Sequence, residues 1–148
     1  MIAIGCDHRG LNLKSEIEKY FEESGIEYKD YGTHSEEKVD YPNIAKNVAK
    51  AVQAKECNMG ILICGTGFGM SIVANKFKGI RCAPCYDEFT SKYAKLHNNC
   101  NIIALGAENM KASKAIECIR IFLATEFEGG RHEERLKLIE DIENKNMK

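Results

Sequence analysis

The sequence predicts an α/β domain in which helices cover both faces of a five-stranded parallel sheet, a three-layer sandwich with one helix to spare at its C-terminal end. Two observations predict it. Short apolar runs alternate with longer amphipathic stretches along the whole chain, the order of βαβ units, whose right-handed crossovers give a parallel sheet. The 148 residues, 44% of them hydrophobic, fit one domain of about 100 to 200 residues. No internal repeat, low-complexity tract or linker divides them, so residues 1–148 read as one unit.

Met1 to Cys6 is an apolar run and the first strand. Asp7-His8-Arg9-Gly10 is a loop, and Leu13, Ile17, Tyr20, Phe21 and Ser24 then recur at helical spacing until Gly25 stops the helix. Ile26 to Tyr31 is more polar and alternating, which suits an edge strand. The polar loop from Gly32 to Tyr41 is long enough to be functional, and Pro42 opens a second helix through Ile44, Val48 and Val52. Met59 to Cys64 is the most apolar strand. It runs into Gly65-Thr66-Gly67-Phe68-Gly69, after which Met70 to Lys76 stand in helical register and Gly79 ends that short helix. Ile80 to Ala83, Asp87 to Leu96, Asn101 to Leu105 and Lys111 to Ala124 read as strand, helix, strand and helix. Past Gly129-Gly130, the segment 131–145 carries one apolar stripe, Leu138 with Ile142 and Leu136 with Ile139. The sheet is complete before this helix begins, so it is expected to pack on a partner subunit. The order as a whole is that of a Rossmann-like fold.

Composition excludes several classes of function. With 21 Lys and Arg against 22 Asp and Glu, the formal charge of -1 lacks the cationic excess with which nucleic-acid binders displace counterions. The longest apolar stretch, Gly60 to Cys64, is far short of the roughly 20 residues needed to span a bilayer. The N-terminal run reaches Asp7 without a basic flank or a long apolar segment, so no signal peptide is expected and the cytoplasm is the expected compartment. In that compartment the 7 cysteines are expected to be reduced, most of them as small buried hydrophobes.

Ligands of open parallel sheets bind beyond the carboxyl ends of the strands. Asp7 and His8 follow strand one, Cys64 to Gly69 follow strand three, and Leu96 to Asn99 lead into strand five. The glycines at 65, 67 and 69 let backbone N–H groups converge on an anion at a helix start. The loop is neither a dinucleotide fingerprint, whose third glycine falls at Met70, nor a Walker A loop. Cys64 stands at its entry, where N–H dipoles favour a thiolate that can act as a base. Cys82-Ala83-Pro84-Cys85 is a C-x-x-C pair, and a thiol redox protein is the more remote alternative it raises. Zinc is disfavoured because His8, His34, His97 and His132 are scattered without ligand spacing, and no metal or cofactor is expected. By position His8 and His97 either reach the site or stay solvated. Arg131 and Arg135, four apart in the first turns of the last helix, either grip an anion or pair with Glu134 on a solvated face.

Gly-Cys-Asp-His at 5–8, Asp40-Tyr41-Pro42, Cys-Gly-Thr-Gly-x-Gly at 64–69, Ala74-Asn75-Lys76, His97-Asn98 and Gly129-Gly130-Arg131-His132 together resemble the ribose-5-phosphate isomerase B family, nearly end to end. That family includes isomerases of galactose 6-phosphate and allose 6-phosphate, so a hexose-6-phosphate isomerase is the nearer alternative. The resemblance implies a metal-free aldose-ketose isomerisation of ribose 5-phosphate and ribulose 5-phosphate, a step of the pentose phosphate pathway, through a cis-enediolate. It makes Cys64 the base; the Glu that replaces it in some members would fall at position 70, which is Met here. It further implies that His97 opens the furanose ring and that Gly65, Gly67, Gly69, the Thr66 hydroxyl and the Asn98 amide surround the oxyanion. Asp7 would bind sugar hydroxyls, Tyr41 would line the pocket, and His8, Arg131 and Arg135 would hold the phosphate. The family forms homodimers, often paired into tetramers, with each site shared between two subunits.

One position departs from that pattern. After strand five the family commonly has Gly-x-Arg, with the Arg at the phosphate, whereas this chain has Gly106-Ala107-Glu108. If Glu108 faces the pocket it weakens phosphate binding or reshapes the far end, and Glu108→Arg should lower the Michaelis constant; if it faces outward it changes little.

Overall fold

A computed structural model describes residues 1–147. The strands are β1 (Ile2–Cys6), β2 (Tyr28–Asp30), β3 (Met59–Cys64), β4 (Cys82–Pro84) and β5 (Ile102–Gly106). They alternate with α1 (Leu11–Ser24), α2 (Tyr41–Gln53), α3 (Phe68–Ala74), α4 (Glu88–Leu96) and α5 (Ala112–Ala124), and α6 (Arg131–Asn146) follows. Every pairing is parallel, in the order β2-β1-β3-β5-β4.

The strands are apolar on both faces because both faces are covered. Ile2, Ile4 and Cys6 of β1 join Ile17 and Phe21 of α1 and Ile119 and Phe122 of α5 in one core, while Ala3 turns to the other face with Val48 of α2 and Met70 of α3. β3 repeats this two-residue period, Ile61 and Ile63 on the first face and Leu62 and Cys64 on the second. The α2 layer sits close: a Cβ on Gly5 would lie 2.8 Å from Ile44 Cγ2, and one on Gly60 2.9 Å from Val48 Cγ1.

Boundaries differ from the sequence expectation by small, explicable amounts. α2 opens one residue early, at Tyr41, with Asp40 in extended backbone before it. α3 begins at Phe68 because Gly67, at φ 88°, ends the turn before it. A short 3-10 turn, His8–Gly10, lies inside the first loop, capped by Asp7. β4 is displaced along the chain from 80–83 to Cys82–Pro84, since Asn75 holds Cys82 at both backbone groups, N–H to Oδ1 at 2.8 Å and carbonyl to Nδ2 at 2.9 Å. Among the described residues no helix is long and apolar enough to cross a membrane.

The strand order positions the site. From β1 the chain crosses outward to β2, then returns to place β3 on the other side of β1. The carboxyl ends of β1 and β3 therefore lie side by side where the winding reverses, which is where an open α/β sheet leaves a crevice.

Candidate active site

A cavity of about 700 Å³ occupies that crevice. Asp7, His8 and Arg9 line it after β1, Cys64, Gly65, Thr66 and Gly69 after β3, and Val39 to Asn43 from the long loop and the start of α2. Asp7, His8, Tyr41, Cys64, Gly65, Thr66 and Gly69 are thus brought together by the fold. Gly67, the remaining glycine of the loop, packs with its Cα toward the backbone of Ala104 and Leu105.

Cys64 is buried, 6% exposed, at the end of β3. The Gly67 N–H donates to its Sγ at 3.1 Å, and the Phe68 N–H donates to Thr66 Oγ1 at 3.2 Å. Two donors of the glycine loop are therefore turned onto side chains of the loop itself rather than outward to an anion. The first comes from Gly67, at φ 88°, and a residue at ease with positive φ is needed to present it. Gly69 has another reason: the Tyr41 ring lies against it, with Cε1 2.6 Å from where a Cβ would stand.

Asp7 has a structural duty as well as a place on the wall. Its Oδ1 accepts the N–H groups of Arg9 (2.9 Å) and Gly10 (3.3 Å), which fixes the 3-10 turn. His8 Nδ1 accepts the Val39 N–H at 3.4 Å, so in a neutral ring the proton belongs on Nε2. Arg9, which the sequence reading passed over, lines the cavity beside His8 and pairs with Glu108, Nη1 to Oε1 at 2.9 Å. Its signal was its place, two residues past Asp7 at the same strand end. Glu108 is thus paired with a cavity-lining residue without lining the cavity itself.

His97, Asn98, Arg131 and Arg135 of the same chain do not line this cavity. α4 runs back from the carboxyl edge of the sheet, so His97, at its C-cap, stands at the opposite edge from Cys64. There its ring stacks on His132 with centroids 4.0 Å apart and meets Tyr93 edge-on at 4.7 Å. His97 Nε2 is 3.5 Å from Glu128 Oε2, and the Glu128 N–H donates to Leu96 O, tying the start of α6 to the end of α4. Asn98 lines a separate groove of about 590 Å³ between α6 and β4, with Ile139 and Ile142 on its α6 wall. Arg131 and Arg135 are exposed and make no ion pair among the described residues, so the pairing with Glu134 does not occur.

Chain spacing concealed the meeting of His97, Glu128 and His132. Their ligand atoms lie within 4.8 Å of one another, whereas ligands about 2.1 Å from a tetrahedral zinc sit roughly 3.4 Å apart. Two nearly parallel imidazoles also cannot aim both lone pairs at one point. The arrangement orients His97 instead. His132 Nε2 is buried without a partner among the described residues, and burial pushes the His132 imidazole below the usual histidine range.

The C-x-x-C pair is equally distant from redox work. Cys82 and Cys85 are buried and unpaired, and burial pushes the Cys82 thiol far up and the Cys85 thiol to about 12, so neither supplies a thiolate.

With this geometry in place, the comparisons with known proteins agree. Residues 2–139 match the model of the Ribose/Galactose Isomerase family. A putative sugar phosphate isomerase of Bacillus subtilis is 47% identical over 147 residues, 99% of each chain. Ribose-5-phosphate isomerase B of Escherichia coli is 44% identical, covering 97% of each chain. The solved structure of ribose-5-phosphate isomerase B from Clostridium thermocellum superposes with a TM-score of 0.96 at 46% identity over 97% of each chain. The chain belongs to the ribose/galactose isomerase family, and it is an isomerase.

Proposed function

We propose that the chain interconverts ribose 5-phosphate and ribulose 5-phosphate, with Cys64 as the base that moves a proton between C2 and C1 through a cis-enediolate. The observation that carries this reading is the buried Cys64 sulfur on the cavity wall with the Gly67 N–H aimed at it. The thiolate takes the C2 proton of the open-chain aldose and returns it to C1, while the O2 hydroxyl gives up its proton and O1 gains one, so that C1 ends as an alcohol and C2 as the ketone carbonyl. Charge develops on oxygen during that transfer, and we assign its stabilisation to the Thr66 hydroxyl and to the N–H groups of the glycine loop not turned onto Cys64 and Thr66. Base and donors are side-chain and backbone groups, so the route needs no metal.

Among the described residues lining this cavity, His97, Asn98, Arg131 and Arg135 are absent. The reading therefore includes a homodimer in which His97 of the partner subunit opens the furanose ring and Asn98 of the partner subunit adds its amide. Arg131 and Arg135 of the partner subunit then join His8 at the phosphate. The exposure of both arginines, and of Leu138 and Ile142 on the same helix, supports a face that another subunit covers.

The test is turnover of ribose 5-phosphate by chelator-treated protein, with allose 6-phosphate as the second substrate. Wild type should convert the pentose and Cys64→Ala should lose most of the rate; turnover of the hexose alone would replace the substrate reading. Inactive Cys64→Ala and Arg131→Ala proteins, unfolded and refolded together, should regain up to about a quarter of the activity. Half the dimers are then mixed and each holds one intact site. No recovery in mixed dimers would sink the shared site.

A further inference from the structure

Among the described residues lining the cavity, Arg9 is the one Lys or Arg, and two carboxylates, Asp7 and Asp40, line it as well. A phosphorylated substrate brings a dianion into that setting. β1 and β5 flank β3, and their continuations bring Arg9 and Glu108 to the Cys64-Gly65 loop from opposite sides. The Glu108 N–H donates to Gly65 O at 3.1 Å, and a Cβ on Gly65 would lie 3.2 Å from Arg9 Nη1 and 3.3 Å from Glu108 Cδ. The pair thus spans the backbone next to the base, and glycine at 65 leaves room for it.

The pair is not there for stability. Its side chains are 55% and 54% exposed, and ion pairs at that exposure contribute little. One side-chain N–H of Arg9 is engaged with Glu108, out of the five a guanidinium carries, and the rest of the fork is free to meet an anion beside His8. Glu108 itself does not line the cavity.

We propose that Arg9 is the cation this chain supplies to the substrate's phosphate, and that Glu108 positions its guanidinium across Gly65. This deepens the isomerase reading above and rests on it. Glu108, an anion near the phosphate site, then assists binding by orienting Arg9 rather than opposing it by repulsion.

The experiment measures kcat and KM for ribose 5-phosphate, and the calorimetric Kd for inorganic phosphate, in wild type, Arg9→Ala, Arg9→Lys, Glu108→Gln and the double variant Arg9→Ala/Glu108→Gln. Arg9→Ala should raise KM and the phosphate Kd together, roughly tenfold or more, as expected for loss of a charge-assisted contact made in ground and transition states alike. kcat should stay within about twofold, and Arg9→Lys should recover part of the loss. Glu108→Gln should raise KM about threefold in wild type and not at all in the Arg9→Ala background, the mark of a residue acting through another. Both side chains are half exposed, so thermal midpoints should not move. Unchanged KM and Kd in Arg9→Ala would overturn the proposal, and so would a KM that falls in Glu108→Gln, which would mean its charge opposes the phosphate. A wild-type protein inactive on ribose 5-phosphate would defeat the substrate reading alone, because the phosphate Kd of Arg9→Ala still judges Arg9.

Discussion

Replacing Gly67 with Ala separates the role of the glycine loop from that of its anion-binding look. Gly67 has φ 88°, a conformation that costs an L residue about 1–2 kcal/mol. The new Cβ would stand 3.2 Å from the Ala104 carbonyl carbon and oxygen and from the Leu105 carbonyl carbon. Those atoms belong to β5, held on both sides by β3 and β4, so the loop has to yield rather than the strand. Yielding draws the 67 N–H off the Cys64 sulfur. A hydrogen bond to a charged group contributes about 1.5–3 kcal/mol, which at about 1.36 kcal/mol per decade is roughly a 10- to 150-fold loss of kcat. The backbone cost alone should lower the thermal midpoint by roughly 2–8 °C. Two assays read the two effects: calorimetry for the midpoint, and turnover beside the rate of iodoacetamide alkylation at Cys64, followed by peptide mass at fixed pH with Cys64→Ala as the blank. Turnover and alkylation should fall together. A folded variant with a lowered midpoint but wild-type kcat and alkylation would show that the Gly67 N–H plays no part in activating the sulfur.

Other perturbations probe the scaffold. Burial first, then the hydrogen bond and negative charge of Asp30, push the Glu18 carboxyl up to about 7, with Lys14 opposing. A carboxyl raised above its ordinary value near 4.5 contributes stability that is present below that value and lost as pH rises through about 7. Glu18→Gln, which mimics the protonated acid, should therefore stabilise the protein relative to wild type at pH 8 and make little difference at pH 4.5; a midpoint difference flat across that range would count against this assignment. Cys82→Ser should lower the thermal midpoint, because Cys82 is packed in the core with Ala74 and Ile102, while leaving kcat intact. Lost turnover in the folded variant would reopen a thiol role for the C-x-x-C pair.

Much of this was legible because strong periodicity and strand ends carry it. β3 and β5 are unbroken apolar runs bounded by glycine, and α1 repeats Leu13, Ile17 and Phe21 at helical spacing, so their places follow from pattern alone. Parallel strands send their carboxyl ends to one edge, which gathers Asp7, His8 and Cys64 without any knowledge of side-chain contacts. β4 was less legible because a three-residue edge strand has no period, and its place is set by the Asn75 side chain, a contact made across seven residues. The Arg9–Glu108 pair was invisible because it depends on strand order. Residues 99 apart meet only because β1 and β5 are the two neighbours of β3.

Strand order also explains why His97, Asn98, Arg131 and Arg135, four of the twelve residues the resemblance points to, stay away from the cavity. A helix that crosses over between parallel strands starts at the carboxyl edge of the sheet and ends at the amino edge. Residues at helix N-termini and strand C-termini, such as Tyr41, Gly69 and Cys64, therefore share one end with the cavity. His97 and Asn98 follow the end of a helix and are sent to the other end, and Arg131 goes with them because the Glu128–Leu96 hydrogen bond and the His97–His132 stack fasten the start of α6 there. Within one chain no loop movement short of unfolding α4 reverses that. If both groups serve one reaction, they do so by facing each other across a two-fold axis, which returns every residue at one end to its counterpart's other end and makes two equivalent sites at once. In that arrangement the stack with His132 would hold His97 in place from its own subunit, and the site His97 serves would be the one lined by the partner's Cys64.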